Sequence, residues 1–286
     1  SIVTVEDNIA PVAICQDVTV QLDVTGSGTV SAAQVDNGSS DACGIESMVL
    51  SQTVFVCGEV GSNTVTLTVT DVNGNVSTCA ATVLLEDNVA PVAICQDVTI
   101  QLDAIGNGST TATAVDNGSS DACGIASLVL SQTAFVCSEV GANTETLTVT
   151  DVNGNVTTCT ATITVEDNVA PVAICQDVTV QLYATGNGST TALAVDNGSS
   201  DACGIASLVL SQTAFVCSEV GANTETLTVT DVNGNVTTCT ATITVEDNVA
   251  PVAICQDVTV QLDATGNGST TATAVDNGSS DACGIA

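Results

Sequence analysis

Residues 64–70 read Thr-Val-Thr-Leu-Thr-Val-Thr, the clearest strand pattern in the chain. Successive side chains of a β-strand point to opposite faces, so the apolar residues of this stretch share one face and its threonines share the other. The turn at 71–75 contains an Asn-Gly pair, which is typical of hairpins. The run 76–85 then alternates again, with its odd-numbered positions from Cys79 to Leu85 facing inward. These residues predict a hairpin with one buried face.

The whole pattern recurs every 80 residues, which indicates a tandem array. Residues 1–8 are interpreted as the end of a preceding repeat. Repeats 1, 2 and 3 are expected at 9–88, 89–168 and 169–248, and an incomplete repeat 4 at 249–286. We therefore expect these repeats to be part of a longer tandem array.

Each repeat is rich in β-branched residues and short alternating runs, and no helical pattern is found. The strands expected in repeat 1 are Val12–Leu22, Thr29–Val35, Ile45–Leu50, Val54–Cys57, Thr64–Thr70 and Val76–Leu85. Such short strands and frequent turns predict an all-β chain of tandem β-sandwiches that forms an extended rod. The count, six or seven strands, decides whether the Asp36 loop and the Asp71 turn lie at the same end, and the sequence leaves it open.

The charge balance narrows the possible partners. The 286 residues include 32 Asp and Glu but no Lys, Arg or His. Without basic side chains the chain cannot neutralise phosphates, which argues against binding to nucleic acid or anionic membrane. No apolar run reaches the roughly 18 residues of a membrane helix, so no membrane insertion is expected. Clustered carboxylates must stay solvated, repel one another or share an external cation.

Fourteen cysteines recur with the same period. The pattern favours two disulfides in each repeat, one closing a short loop and one tying the first strand to the last. The expected pairs are Cys15–Cys79, Cys43–Cys57, Cys95–Cys159, Cys123–Cys137, Cys175–Cys239 and Cys203–Cys217, whereas Cys255 and Cys283 lack equivalent partners. A zinc site of four thiolates is the rival reading, but the CxxC spacing typical of zinc knuckles is absent. Disulfides imply an oxidising compartment.

Several motifs together resemble a hyalin-type repeat. They are Asp41-Ala42-Cys43-Gly44, the stretch 63–71, Gly74-Asn75 and Cys79. The array is also similar to repeats of large surface adhesins of gliding Bacteroidetes. The resemblance implies an immunoglobulin-like sandwich of seven strands, common in long secreted proteins, and it would bring both acidic loops to the end that meets the preceding repeat.

The stretch Glu86-Asp87-Asn88-Val89-Ala90-Pro91 marks the seam between repeats. Proline fixes its own φ and extends the residue before it, which predicts a stiff connection. The stretch resembles the calcium-binding linker of cadherins, although Val89 is inserted here. Asp, Asn and backbone oxygens are ligands that calcium prefers, so the seams are predicted to bind structural calcium. The alternative is that these residues simply form turns.

The predicted ligands come from the seam, the loop after the second strand and the hairpin turn. Glu86 is considered as an additional ligand. Numbered along the chain, the predicted set is Asp7, Asn8, Asp36, Asp41, Asp71, Asn73, Asp87, Asn88, Asp116, Asp121, Asp151, Asn153, Asp167, Asn168, Asp196, Asp201, Asp231, Asn233, Asp247, Asn248, Asp276 and Asp281.

An enzyme is not expected. Without His, Lys or Arg, triad chemistry is unavailable. A carboxylate pair could hydrolyse a glycoside, but sugar clefts are usually lined with aromatic residues, and the chain has one Tyr, three Phe and no Trp. The stretch Asp121–Leu182 also recurs unchanged as Asp201–Leu262, which argues against a unique active site.

The sequence therefore predicts the stalk or filament region of a large extracellular adhesin, at the cell surface or in a secreted filament. Calcium at the seams and disulfides within repeats would stiffen it, and other copies of the chain are possible filament partners. The alternative is that the repeats themselves bind a glycan or another surface.

Overall fold

The computed structural model describes residues 1–285. Its packing divides the chain into two compact units. The first comprises residues 1–100, 109–134 and 141–164, and the second comprises residues 101–108, 135–140 and the chain from Val165 onward. None of the helices in the described part of the chain has the length and apolar character needed to cross a bilayer.

Repeat 1 lies within the first unit and is built from six strands, one α-helical turn and one 3₁₀ turn. In chain order they are β1 Val18–Gln21, β2 Ser27–Thr29, α1 Ala32–Val35, β3 Ile45–Leu50, β4 Val54–Val56, the 3₁₀ turn Cys57–Glu59, β5 Gly61–Asp71 and β6 Val76–Glu86. Strand β5 begins at Gly61, three residues before the predicted start at Thr64, because its ladder with β6 extends from Gly61 opposite Leu85.

The strands form two sheets with the order β1-β6-β5-β3 and β2-β4. Strand β1 runs parallel to β6, and the other pairs are antiparallel. The predicted inward residues are confirmed, since Val65, Leu67, Val69 and Val83 are fully buried. Phe55 of β4 is also fully buried and belongs to the same core, so the two sheets enclose one apolar interior.

The same elements recur at the 80-residue offset. Repeat 2 contains β7 Val98–Gln101, β8 Asn107–Ser109, α2 Ala112–Val115, β9 Ile125–Leu130, β10 Ala134–Val136, a 3₁₀ turn Cys137–Glu139, β11 Gly141–Asp151 and β12 Val156–Glu166. Repeat 3 contains β13 Val178–Gln181, β14 Asn187–Ser189, α3 Ala192–Val195, β15 Ile205–Leu210, β16 Ala214–Val216, a 3₁₀ turn Cys217–Glu219, β17 Gly221–Asp231 and β18 Val236–Glu246, and α4 Ala272–Val275 follows. The chain is thus nearly all-β, with tandem immunoglobulin-like sandwiches.

Both acidic loops lie at the same end of repeat 1. The start of β3 pairs with the end of β5, as Ile45 lies opposite Asp71. The Val72 amide donates to the Gly44 carbonyl at 3.1 Å, which ties the hairpin turn to the loop that precedes β3. The two loops therefore share one end although repeat 1 has six strands and not the seven that the resemblance implies, so the strand count did not decide their placement.

The first two predicted strands differ from the structure. Within Val12–Leu22, Val12 and Cys15 form isolated bridges to Ser40 and Asp36, and regular pairing begins only at Val18. The expected strand Thr29–Val35 is wrong over its second half, where α1 forms one helical turn. There the side-chain oxygen of Gln34 accepts a hydrogen bond from the Ser31 backbone amide at 2.8 Å, which caps the start of the helix. The alternating pattern of apolar residues gives no sign of this cap.

The disulfides follow the prediction in part. Cys15 pairs with Cys79, and the equivalent pairs are Cys95–Cys159 and Cys175–Cys239. The predicted pairs Cys43–Cys57, Cys123–Cys137 and Cys203–Cys217 are wrong. Each cysteine in the 3₁₀ turn instead pairs with the loop cysteine of the following repeat, forming Cys57–Cys123, Cys137–Cys203 and Cys217–Cys283. Among the described residues Cys43 and Cys255 remain free and exposed.

Candidate metal centre

The first seam, where repeat 1 meets repeat 2, brings two carboxylates together. Asp87 follows the last strand of repeat 1, and Asp121 lies in the loop before β9 of repeat 2. Ligand atoms of Asp87, Asp121 and Cys123 all lie within 4.8 Å of one another. A backbone amide two residues further along the chain orients each carboxylate. The Val89 amide donates to Asp87 at 3.0 Å, and the Cys123 amide donates to Asp121 at 2.7 Å. Two anionic groups are thus held in a fixed geometry.

The hairpin turn of repeat 2 joins this site through an asparagine. Asp151 is 1% exposed, and its carboxylate accepts from the amides of Asn153 and Asn155 at 2.9 and 2.8 Å. The side-chain nitrogen of Asn155 donates both to Asp151 at 2.8 Å and to the Asp87 carbonyl at 3.1 Å. Asp151 therefore shapes the site by fixing the turn, and Asn155 ties that turn to the seam.

Two buried oxygens at this seam have no hydrogen-bond partner. They are Oδ2 of Asp87 and Oδ1 of Asn153. Asp87 is only 7% exposed, and an unpaired carboxylate oxygen at that depth carries a large desolvation cost. Both atoms are hard oxygen donors, the type that calcium prefers, so the residues fit a bound divalent cation. A disulfide sulfur such as that of Cys123 is a soft atom and is not expected to contribute.

The second seam, between repeats 2 and 3, reproduces the arrangement. Asp167 and Asp201 lie in the equivalent acidic group, and Asp167 is 6% exposed. Its Oδ2 and the Oδ1 of Asn233 are again buried without a partner. Asn235 donates to the Asp167 carbonyl at 3.0 Å and to Asp231 at 2.8 Å. The same unsatisfied oxygens therefore occur at the first and second seams. The Asp7 group also has its hairpin turn attached, through Asn75, but neither Asp7 nor Asn73 has such an oxygen.

Two further acidic groups occur at the ends of the chain. Asp7 lies with Asp41 and Cys43, and Asp247 lies with Asp281 and Cys283. The thiol of the free Cys43 lies in a negative electrostatic potential. A hydrogen bond to Asp7, together with the charges of the neighbouring carboxylates and burial, raises the pKa of this thiol. The carboxylates at a seam therefore create a negative potential, which a bound cation would offset.

Other predicted ligands lie outside these acidic groups. The Asp116 carboxylate accepts from the amides of Ser119 and Gly118 at 3.0 and 3.3 Å and so holds its own loop. Asp36, Asp196 and Asp276 make the same contacts in their repeats. Asn88 donates to the Gln21 side chain at 2.5 Å, and Asn168 and Asn248 do likewise to Gln101 and Gln181. Asn8 and Asn73 are exposed, and Glu86 accepts from Gln21 at 2.6 Å.

Sequence reasoning missed the bridging asparagines Asn75, Asn155 and Asn235. Their signal was present, since each follows the glycine of the Asn-Gly turn in every complete repeat. In the sequence this asparagine looks like part of the turn and nothing more. The seam disulfide was also missed, and it sits beside the acidic group because the loop that carries Asp121 also carries Cys123.

The carboxyl group of Asp196, which lies in the loop before β15, predicts that the stability of repeat 3 depends on pH independently of the seam carboxylates. Burial raises the pKa of this carboxyl, but hydrogen bonds from the Ser199 side chain and from the amides of Ser199 and Gly198 together hold its pKa below the usual 3.8. Its contribution to stability is thus complete above pH 3.8 and is lost as the pH falls through the lower folded-state value.

We expect Asp196→Asn to lower the free energy of unfolding of repeat 3 by a few tenths to about 1 kcal/mol near neutral pH, after solvent screening. The difference from the native chain should disappear as the pH falls below the lowered folded-state pKa of Asp196, where the native carboxyl is also uncharged. Urea titrations followed by the fluorescence of Tyr183, the single tyrosine, measure repeat 3. A difference that persists unchanged in acid would contradict the assignment.

No protein-family model and no curated protein matches the chain. Among solved structures, a three-domain immunoglobulin segment of titin is 10% identical, with 83% of this chain and 99% of that chain covered and a TM-score of 0.33. Drosophila N-cadherin, domains EC1–4, is 13% identical, with 83% and 75% covered and a TM-score of 0.32. An endo-fucoidan hydrolase of glycoside hydrolase family 107 is 18% identical, with a TM-score of 0.22; 74% of this chain and 38% of that chain are covered. At these TM-scores the likenesses carry no argument about function.

Proposed function

We propose that the chain is the stalk or filament region of a large extracellular adhesin, with calcium stiffening the seams between its repeats. One observation carries the proposal. At the first and second seams, a buried aspartate oxygen and a buried asparagine oxygen lack any hydrogen-bond partner. The chain has no Lys, Arg or His to neutralise them, so an external cation is the available counter-charge.

The choice of calcium over other cations follows from the donors. Carboxylate and amide oxygens from three segments suit calcium, which takes six to eight oxygens in relaxed geometry. Magnesium requires a stricter octahedron and retains several waters. The six disulfides support an extracellular location, because such bonds persist in oxidising compartments. Catalysis has no part in the proposal, since the chain lacks the basic side chains that most acid–base chemistry uses.

Small-angle scattering with calcium and with chelator tests this proposal. A cation that joins three segments should resist bending at a seam, so its removal is expected to lower the maximum dimension and the radius of gyration. The change should be larger after the seam disulfides are reduced, because they restrain the same junctions. Magnesium at the same concentration serves as the control. An unchanged maximum dimension after chelation, in both oxidised and reduced protein, would rule out the stiffening role.

A second candidate function is adhesion by the repeats themselves. The outward side of the long hairpin of repeat 3 carries cross-strand pairs of threonine, Thr224–Thr242, Thr226–Thr240 and Thr228–Thr238. These residues are exposed or half-buried and form an uncharged hydroxyl surface, which suits a neutral hydroxylated ligand such as a glycan. Calcium-dependent retention of the protein on immobilised polysaccharide, lost on replacing Thr226, Thr228 and Thr240 by valine, would favour this function over a passive stalk.

A further inference from the structure

The disulfides alternate between two kinds, and together they connect the whole chain. Bonds within a repeat join residues 64 positions apart, as in Cys95–Cys159. Bonds across a seam join residues 66 positions apart, as in Cys57–Cys123 and Cys137–Cys203. Because each repeat contributes cysteines to both kinds, a covalent path can leave the backbone at one disulfide and rejoin it in the next repeat.

Two such paths run through repeats 2 and 3. The first enters repeat 2 through Cys57–Cys123, follows the backbone for 14 positions, from 123 to 137, and leaves through Cys137–Cys203. The second crosses the first seam along the backbone for 16 positions, from 79 to 95, and then crosses repeat 2 through Cys95–Cys159. Where one path uses a disulfide, the other uses backbone.

The remaining backbone of each repeat lies off both paths. In repeat 2 these segments span 28 positions, from 95 to 123, and 22 positions, from 137 to 159. Each joins a cysteine of one path to a cysteine of the other, so both paths bypass it. End-to-end tension on the oxidised chain cannot extend these segments, although they contain 50 of the 80 positions, about 60% of the repeat.

We propose that the two kinds of disulfide form a two-track covalent ladder, which limits how far the chain can be stretched and keeps it whole after any single backbone cut between Cys57 and Cys217. Fully extended, 14 backbone positions span about 50 Å per repeat, whereas 80 positions would span about 270 Å. This inference deepens the proposed stalk function, because it says how the stalk carries load, but it does not depend on calcium.

The packing around the seam disulfide fits a permanent structural bond. Cys123 packs against the hydrophobic core of repeat 1, and Cys283 packs against that of repeat 3. The turn at Gly26 closes over the bond, since a Cβ added there would lie 2.5 Å from the Cys57 sulfur and 3.2 Å from Ala122 Cβ. A Cβ added at the equivalent Gly106 or Gly186 would lie 2.5 or 2.7 Å from the sulfur of Cys137 or Cys217. Each seam bond is therefore enclosed by residues of both repeats.

A backbone cut at the first seam tests the ladder. A recognition site for a specific protease is inserted between Asn88 and Val89 of the full chain, the oxidised protein is cut, and the products are run on denaturing gels. The Cys57–Cys123 bond should hold the fragments together without reductant, and reductant should release two fragments. The double variant Cys57→Ala, Cys123→Ala should release them without reductant. Since connectivity is read after denaturation, the result does not require the cut protein to remain folded.

A matched control places the same site after Ile105, inside the loop of repeat 2. There the Cys95–Cys159 bond also spans the cut, so the fragments should stay joined even in the double variant. This control shows that release at the seam reflects the missing bond and not a failure to oxidise. Release of the seam-cut native chain without reductant would overturn the ladder, because it would mean that Cys57 pairs within its own repeat.

Stretching single molecules measures the mechanical consequence. With the chain held at its two ends, repeats 2 and 3 of the oxidised protein should each extend to at most about 50 Å on unfolding, roughly a fifth of their extended length after reduction. Chelating calcium should leave this limit unchanged, so failure of the calcium proposal and failure of the ladder give different results. Extension of repeats 2 and 3 towards about 270 Å each in oxidised protein would rule out the ladder.

Discussion

Asp167→Asn is expected to weaken calcium binding at the second seam by about tenfold or more, and to make repeat 3 more stable than the native chain once calcium is removed. Asparagine can keep the acceptor role of Oδ1 towards the Val169 amide, which lies 3.0 Å away. It replaces the buried, unpartnered Oδ2 with an uncharged amide nitrogen. In calcium the variant loses an anionic ligand, and ligand charge is a main determinant of affinity.

The difference in stability between the native chain and Asp167→Asn should change sign when calcium is removed. Without calcium the native chain carries the cost of a buried, unpaired carboxylate, about 1–3 kcal/mol or more, and the variant does not. With calcium the bound ion offsets that cost and stabilises the native chain by mass action. The order of the two urea midpoints should therefore reverse between calcium and chelator, as measured by Tyr183 fluorescence. Calorimetric titration gives the affinity directly.

Asp87→Asn is the matched control, because it makes the same change at the first seam. It should remove binding there and leave the Tyr183 transition nearly unchanged, since repeat 3 contains neither Asp87 nor its contacts. If Asp167→Asn were less stable than the native chain in both calcium and chelator, the unpartnered oxygen would not be a cation ligand.

Phe215→Ala should lower the free energy of unfolding of repeat 3 by about 3–5 kcal/mol, as expected when a large buried side chain leaves a cavity. Each complete repeat has one phenylalanine, and Phe55, Phe135 and Phe215 are at most 1% exposed. The rest of the core consists of smaller aliphatic residues, so no neighbour can refill the space. Gly188 faces Phe215 across the small sheet, where an added Cβ would lie 2.7 Å from Val180.

Two variants define the size of this effect. Phe215→Leu keeps most of the volume and should cost less than half as much. Phe55→Ala makes the same cavity in repeat 1 and should shift the Tyr183 transition little, because the two cores are separate clusters. Urea titrations of the oxidised protein measure all three. A loss below about 1 kcal/mol for Phe215→Ala would mean that the core collapses around the missing ring.

The sequence alone determined what depends on local periodicity. Alternation over 64–70 assigned Val65, Leu67 and Val69 to the core, and all three are fully buried. The bond between Cys15 and Cys79 also followed, because it ties the segment leading into the first strand of a sandwich to its last strand. Both inferences need only the period of a strand and the order of strands within one repeat.

The tertiary structure alone decided which copy of a residue meets which. Near-identical repeats offer the same cysteine every 80 positions, so Cys57 could pair with Cys43 or with Cys123 on chemistry alone. The closer partner in sequence is the wrong one, because the loop carrying Cys123 folds against the core of repeat 1. The same placement separates Asp121, which meets Asp87 at the seam, from Asp116, which holds its own loop. Periodicity encodes the face a side chain occupies, but a contact across a seam depends on how two folded repeats meet.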